Sequence, residues 1–148
     1  MFLTEGHSYF ITVKAYNRAG FSTMKSSWAY THERSPPYAG HVYDRALYTS
    51  VTHSKDIDYQ TDMTKLSVYW EGFHDPHSAI KYYNVHIGKC PGCDDVVAQQ
   101  YVGIHTEFTI SNINLKAGSK YYSTITACNT ADLCTSVTSD GVVIDNSP

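Results

Sequence analysis

The 148-residue chain has 42% hydrophobic residues, 17% charged residues and a formal net charge of -3, a composition typical of a globular protein. Lys and Arg are too few to indicate the basic patch of a nucleic-acid partner, and no apolar run approaches the ~20 residues of a membrane helix. The start of the chain lacks the basic stretch and apolar core of a signal peptide, so we expect any export signal to lie outside this sequence.

An internal repeat is the main feature of the sequence. Residues 3–20 (LTEGHSYFITVKAYNRAG) align without gaps with residues 115–132 (LKAGSKYYSTITACNTAD), at a constant offset of 112 positions. We therefore predict one complete repeat at residues 37–148, preceded at residues 1–36 by the end of another copy. A repeat of this length can bury its own core, so the complete copy is predicted to fold as one domain.

The first 36 residues contain one predicted hairpin of two strands. Tyr9, Ile11, Val13 and Ala15 share one face of its first strand, because alternate side chains of a strand point the same way. A hairpin alone is marginal in water and leaves its edges unpaired. We therefore expect this segment to fray, to pack on the complete repeat, or to exchange between chains in a strand-exchanged dimer.

The link between the two units, residues 33–38 (ERSPPY), contains two prolines. Proline favours extended backbone at the residue before it, so the link is predicted to be extended and fairly stiff, as suits a spacer. At the end of the complete repeat, Ser147 and Pro148 take the positions of Ser35 and Pro36. The boundary between repeats is thus predicted to recur there.

The complete repeat shows the two-residue period of β-strands and no sustained helical period. The residues predicted to share an apolar face are Leu66, Val68 and Trp70; Tyr83, Val85 and Ile87; Phe108 and Ile110; and Tyr121, Ser123, Ile125 and Ala127. Turn-forming residues separate these runs, and residues 56–61 (DIDYQT) predict an added short strand. Short strands without intervening helices indicate an all-β, antiparallel β-sandwich.

The motif L-x-x-G-x-x-Y occurs once in each copy. Its residues are Leu3, Gly6 and Tyr9 in the first copy and Leu115, Gly118 and Tyr121 in the second, where Ile125, Ala127 and Asn129 follow. This pattern resembles the tyrosine corner and penultimate strand of a fibronectin type III domain, and Trp70 and Tyr83 resemble that family's core residues on the second and third strands. The resemblance implies an immunoglobulin-like antiparallel β-sandwich at residues 37–148 and the last two strands of another at residues 1–36.

Residues 38–63 form a longer segment than the first strand and turn of a typical member of this family. The strings GHVYD at 40–44 and DYQ at 58–60 are similar to divergent fibronectin type III repeats of large invertebrate extracellular proteins, some with von Willebrand factor D domains. The resemblance implies a secreted or cell-surface protein without catalytic activity. It predicts a structural spacer, or a module for adhesion and protein–protein interaction, whose partners include neighbouring repeats.

The four cysteines also favour an extracellular location. Cys90 and Cys93 flank a Pro-Gly turn, and Cys128 and Cys134 flank the predicted turn of the last hairpin. Both cysteines of the second pair are absent from the first copy, as expected for a disulfide gained or lost as a unit. We predict the pairs Cys90–Cys93 and Cys128–Cys134, although the sequence leaves the other two connectivities open. A four-cysteine zinc site and a redox C-x-x-C motif are less favoured alternatives, because the second spacing is wide for zinc and no helical pattern follows C-P-G-C.

The sequence contains no recognisable catalytic motif. It lacks the G-x-S-x-G nucleophile elbow and a phosphate-binding glycine loop, so we expect no enzyme and no cofactor. Exposed loops often carry binding function, and a disulfide-stiffened turn loses less entropy on binding. The candidate binding residues are therefore His74, Asp75 and His77 in one predicted loop and Asn129 and Asp132 in another.

A metal site has weaker support from the sequence. His74 and His77 form the tightest histidine cluster, but solvated polar residues are expected in such a loop. Asp56, Asp58 and Asp62 could offer carboxylates to calcium, but they lack the glycine and glutamate spacing of a calcium loop. We predict no metal and retain, as the alternative function, a ligand- or metal-binding module that uses its loop tips.

Overall fold

The computed structural model describes residues 2–46 and 56–148. Across these residues the chain is all-β without a helix, as predicted, so the described part contains no helix able to cross a membrane. The strands are Ser8–Tyr9 (β1), Thr12–Tyr16 (β2), Ser22–Ser26 (β3), Tyr30–Thr31 (β4), His41–Arg45 (β5), Tyr59–Gln60 (β6), Lys65–Glu71 (β7), Ile80–Gly88 (β8), Val97–Gly103 (β9), Glu107–Ser111 (β10), Lys120–Asn129 (β11), Cys134–Thr138 (β12) and Val142–Ile144 (β13).

The strands of residues 37–148 form two sheets. One has the order β10–β7–β5, and the other has the order β6–β13–β11–β8–β9, with β12 also paired to β11. The pairing is antiparallel except between β6 and β13, which are parallel. The short strand predicted within residues 56–61 is therefore present as β6, at an edge of the larger sheet.

The core lies between these two sheets. Leu66, Val68 and Trp70 on β7 are 3%, 1% and 0% exposed, and they belong to the same two apolar clusters as Val85 and Ile87 on β8. Each strand buries one face because alternate side chains point the same way. Two sheets whose apolar faces meet in this manner form a β-sandwich.

The aromatic residues predicted for the core lie within it. The rings of Trp70 and Tyr83 are 5.6 Å apart and meet edge to face, and Tyr83 makes a similar contact with Phe73 at 5.8 Å. Leu115 and Tyr121 are 1% and 2% exposed. Edge-to-face pairs add ~1 kcal/mol beyond the area that the rings bury.

The strands that were not predicted have no clean alternation of apolar residues. β9 is an edge strand on which residues 98–101 are exposed, so it carries little apolar signal. β5 places the carboxylate of Asp44 in a buried position, which breaks the apolar pattern. Ser67 lies on the face of β7 opposite to Leu66, Val68 and Trp70 but is only 7% exposed, and its hydroxyl shares a 2.6 Å hydrogen bond with that of Thr109 on the paired strand.

The hairpin of residues 1–36 has the same strand register as the end of the complete repeat. All five residue pairs between β2 and β3 recur between β11 and β12 at the 112-residue offset, so Thr12↔Ser26 becomes Thr124↔Thr138. The two pairs between β1 and β4 recur between β11 and β13. The repeat in the sequence is therefore also a repeat in the backbone.

The turn before each of these hairpins is held by a tyrosine hydroxyl. The amide of Thr4 donates to Tyr9 Oη at 2.7 Å, and the equivalent amide of the complete repeat donates to Tyr121 Oη at 2.9 Å. Gly6 and Gly118 have φ values of 76° and 78°, a left-handed conformation that glycine adopts without a Cβ clash. Both copies thus contain the same pinned turn.

The two hairpins differ in what covers them. Ile125 on β11 is 0% exposed, whereas Val13 at the equivalent position on β2 is 65% exposed. Within the described residues, β2 pairs with β3 and no second sheet covers its apolar face. The face that β11 buries against the other sheet is therefore open to solvent on β2.

Candidate functional site

The two predicted binding loops lie side by side. Residues 74–78 precede β8, and residues 129–133 begin at the last residue of β11. These two strands pair directly, with Asn129 opposite Ile80. Asn129 Nδ2 donates a hydrogen bond to Asp75 Oδ2 at 3.0 Å, which joins the two segments. We call this end of the sandwich, residues 74–78 and 129–133, the loop end.

Each of these two side chains also shapes its own loop. Asp75 Oδ1 accepts hydrogen bonds from the amides of His77 and Ser78, both at 2.9 Å, and Asn129 Oδ1 accepts from two amides of its turn, both at 3.0 Å. Short polar side chains commonly stabilise turns in this way. Desolvation raises the pKa of Asp75, but hydrogen bonds from Asn129 and the two loop amides outweigh it, and the pKa lies below its usual value.

The loop end contacts the link that precedes the complete repeat. Asn129 Nδ2 donates to the carbonyl of Ser35 at 2.9 Å, and the amide of Tyr38 donates to the carbonyl of His74 at 2.8 Å. The rings of Tyr38 and His74 are 5.0 Å apart. Asn129 is 0% exposed as a result, so this predicted binding residue is covered rather than presented to solvent.

The other two candidate loop residues have different surroundings. Asp132 is exposed and accepts a hydrogen bond from Lys81 Nζ at 3.1 Å, a surface ion pair worth ~0–1 kcal/mol. His77 lies against the first hairpin, since a Cβ added to Gly6 would be 2.5 Å from His77 Nδ1. Of the predicted loop residues, His74, His77 and Asp132 are exposed and can be reached from solvent.

The cysteines lie in the two predicted pairs, at disulfide distance. The Cα–Cα distances are 5.3 Å for Cys90 and Cys93 and 4.1 Å for Cys128 and Cys134. The second pair stands directly opposite across β11 and β12, at the base of the loop-end turn. The first pair closes the connection that follows β8, beyond the other end of that strand. The structure therefore does not bring the four cysteines together as a zinc site requires.

A cluster of three carboxylates was not predicted. Asp44, Asp56 and Asp140 place carboxylate oxygens within 4.8 Å of one another. Asp44 is 1% exposed, its Oδ2 accepts from the amide of Gly141 at 3.1 Å, and its own amide donates to Asp56 Oδ1 at 2.7 Å. Carboxylate oxygens are typical ligands of hard cations such as calcium. These three residues are the ones in the described chain that could hold such an ion together.

The environment of this cluster changes the acidity of Asp44. Burial raises its pKa to about 7, and the neighbouring charges of Asp56 and Asp140 act in the same direction.

Of the three aspartates considered as calcium ligands in the sequence, only Asp56 belongs to the cluster. The one signal in the sequence is that Asp44 shares a strand face with Val42, because a charged residue at an apolar position needs partners.

A cavity of about 540 Å³ opens between β5, β6, β7 and the last residues of the chain. Its lining includes the cationic residues Arg45 and Lys65 and the acidic residues Asp62 and Asp145. Since charges of both signs face it, electrostatic complementarity favours no single class of ligand.

Comparison with known proteins gives little further information. No family model matches the sequence, and no curated protein matches it. Among solved structures, a β-1,2-glucanase from Parabacteroides distasonis is similar to this chain with a TM-score of 0.33 and 18% sequence identity. The match covers 89% of this chain and 17% of the glucanase. Likeness at this level supports no argument about fold or activity.

Proposed function

We propose that this chain is a non-catalytic module from an extracellular tandem array of fibronectin type III-like repeats, and that it serves as a structural spacer. The strand order supports the family. With the short edge strand β6 left out, the first, second and fifth strands from β5 (β5, β7 and β10) share one sheet, and the third, fourth, sixth and seventh (β8, β9, β11 and β12) share the other. That division is the one found in immunoglobulin-like sandwiches. The tyrosine hydroxyl that pins each turn is a second feature of such domains.

The observation that carries the proposal is the repeated hairpin together with its hydrogen-bonded link. A single binding domain needs no second copy of its last strands, whereas a spacer is built by repetition. The link at residues 33–38 is joined to the loop end by backbone and side-chain hydrogen bonds. Adjacent units are thereby held rather than freely hinged.

The cysteine pairs further support an extracellular role. Disulfides persist in oxidising compartments, and the two cysteine pairs fit that setting. Adhesion or protein–protein interaction through loop tips is the alternative role, and the exposed turn around Asp132 is the surface that favours it.

The spacer role predicts a regular increase in length with repeat number. Chains are prepared in which residues 1–36 are followed by one, two or three copies of residues 37–148, and their maximum dimensions are measured by small-angle X-ray scattering. The 10-residue strand β11 spans the sandwich, so each added copy should lengthen the particle by ~35 Å. Compact particles whose dimension does not grow with copy number would contradict the spacer role.

A further inference from the structure

We propose that the loop end is the docking site for the last residues of the preceding repeat, and that residues 145–148 are the matching insert for a following copy. The proposal rests on the tandem array proposed above and names the surface through which its repeats hold each other. It assigns most of the loop end to one kind of partner, another copy of this repeat.

Asn129 is the centre of the docking site. A side-chain amide can donate two hydrogen bonds and accept two, and Asn129 makes all four, to the carbonyl of Ser35, to Asp75 and to two amides of its own turn. Asn17, at the equivalent position of the first hairpin, makes the same two turn hydrogen bonds but is exposed. Asn129 differs from Asn17 in its two further partners, the carbonyl of Ser35 in the link and the carboxylate of Asp75 in the neighbouring loop.

The link is also held by residues on either side of it. Thr135 Oγ1 donates to the carbonyl of Pro37 at 2.6 Å. From the first hairpin, the Glu5 carboxylate accepts hydrogen bonds from the Ser35 hydroxyl and from the amide of Arg34. The bond from Ser35 is the main reason that the pKa of Glu5 lies below its usual value. The link thus contacts both units.

The two units also approach each other beside the link. A cavity of about 290 Å³ between them is lined by Tyr30, Thr31 and Glu33 of the first hairpin and by Ser78 and Thr130 of the loop end. Residues of both units therefore form its walls. We call the link with these surrounding contacts the joint.

The end of the chain has the local structure of an insert. Glu33 accepts a hydrogen bond from the amide of Ser35 at 3.0 Å, and Asp145 accepts one from the amide of Ser147, also at 3.0 Å. A proline follows each serine. Because the hydrogen bond between Asp145 and Ser147 already shapes this segment, docking on a following copy loses less conformational entropy.

Trypsin cleavage between Arg34 and Ser35 tests the docking site in the intact chain. Asn129→Asp keeps the oxygen that shapes the turn. It replaces the donating nitrogen with a second oxygen, which then faces the carbonyl of Ser35 and the carboxylate of Asp75. The matched control is Asn17→Asp, which makes the same chemical change where no link is bound. Cleavage of the link follows the population of its open state.

We expect Asn129→Asp to raise the cleavage rate at Arg34 by ~10-fold or more, as lost hydrogen bonds and a new repulsion predict, and Asn17→Asp to leave it unchanged. Equal rates in the wild type and the Asn129 variant would overturn the docking site.

If Asn129→Asp unfolds, Thr135→Val with its control Thr23→Val decides the question, because valine suits a strand and removes only the bond to Pro37. A rise of ~5-fold is expected for Thr135→Val alone, and no rise overturns the proposal.

The insert is tested in a chain lengthened after Pro148 by a second copy of residues 37–148. Asn146→Arg then gives the C-terminal insert the same Arg-Ser-Pro sequence as the link at residues 34–36. We expect slow cleavage at this new arginine in the lengthened chain and rapid cleavage in a lengthened chain whose added copy carries Asn129→Asp. Equal rates in the two chains would overturn the insert.

These outcomes are separable from failure of the proposed function. If scattering shows an array that lengthens regularly while Asn129→Asp has no effect on cleavage, the docking site is wrong and the spacer stands. If Asn129→Asp opens the link but the array does not lengthen with copy number, the docking site stands and the spacer is wrong.

Discussion

Asp44 is the buried acidic residue at which protonation and folding are most directly linked. Its pKa is about 7 in the folded protein against an ordinary value of 3.8, so the folded state binds this proton more tightly than the unfolded chain does. The contribution of Asp44 to stability is therefore full below pH ~4 and falls as the pH rises towards ~7. Above that range the buried carboxylate is charged and destabilising.

Replacing Asp44 with asparagine should remove this pH dependence. The free energy of unfolding at pH 7.5 should rise by an amount on the order of 2–4 kcal/mol, because a neutral amide keeps an oxygen for Gly141 and carries no buried charge. Urea unfolding between pH 4.5 and 7.5, with a chelator present, measures the effect. Asp94→Asn is the control, since Asp94 is exposed. If the wild type keeps constant stability across this range, the assignment to Asp44 is wrong.

This acidic cluster is the part of the candidate site that could not be predicted from the sequence. Asp44, Asp56 and Asp140 come from three segments that approach only in the folded chain. No spacing in the sequence connects them. The cysteine pairs could be predicted because each pair is close in sequence, so its contact is nearly local.

Among the elements, β2 and the equivalent half of β11 share a register but differ in what covers them. Their registers and turns coincide, but the apolar face of β11 is buried and that of β2 is exposed. Their local stabilities should therefore differ, because opening β11 exposes the core whereas opening β2 exposes little new surface.

Native-state hydrogen exchange should resolve this difference. Measured by NMR on a dilute sample, the amides of β11 should be protected ~100-fold or more above those of β2, since β11 opens only with its domain. The amides of β12 and β3 supply an internal comparison at the same register. Similar protection of β2 and β11 would show that the first hairpin has a cover that the described chain does not contain.

The elements that could be predicted are those whose environment is uniform along their length. β7 and β8 bury one face throughout, so their alternation is visible in the sequence. β9 lies at an edge and β5 carries a buried carboxylate, so neither follows that rule. The loop end was predicted as two separate loops, but its contact with the link depends on how β8 and β11 place them.

At the scale of the whole molecule, the open face of β2 is a surface for self-association. Val13 on this face is 65% exposed, and Ile11, directly before β2, is 73% exposed. Strand exchange between two chains would cover this face. It would cost few existing contacts, because identical elements can replace each other between protomers. Solvent-exposed hairpin edges favour the same outcome.

Sedimentation velocity over a range of protein concentrations tests this association. We expect a dimer to form as concentration rises, and Val13→Lys to weaken it by ~10-fold or more, since a charge on a buried apolar face needs a partner. Met24→Lys is the control, because Met24 is 63% exposed but points to the opposite face of the hairpin. A monomer at every concentration would contradict the dimer prediction.

The path of the chain through the complete repeat determines how the joint would respond to a pulling force. The chain enters beside Asn129, at one end of β11, and its last strand, β13, pairs with Lys120 and Tyr121 at the other end. A pulling force on an array would therefore pass through every sandwich and every joint in series. The joints hold by a few hydrogen bonds, whereas each sandwich is held by a whole core, so the joints would yield first. An array built in this way would extend under load and recoil with its domains still folded.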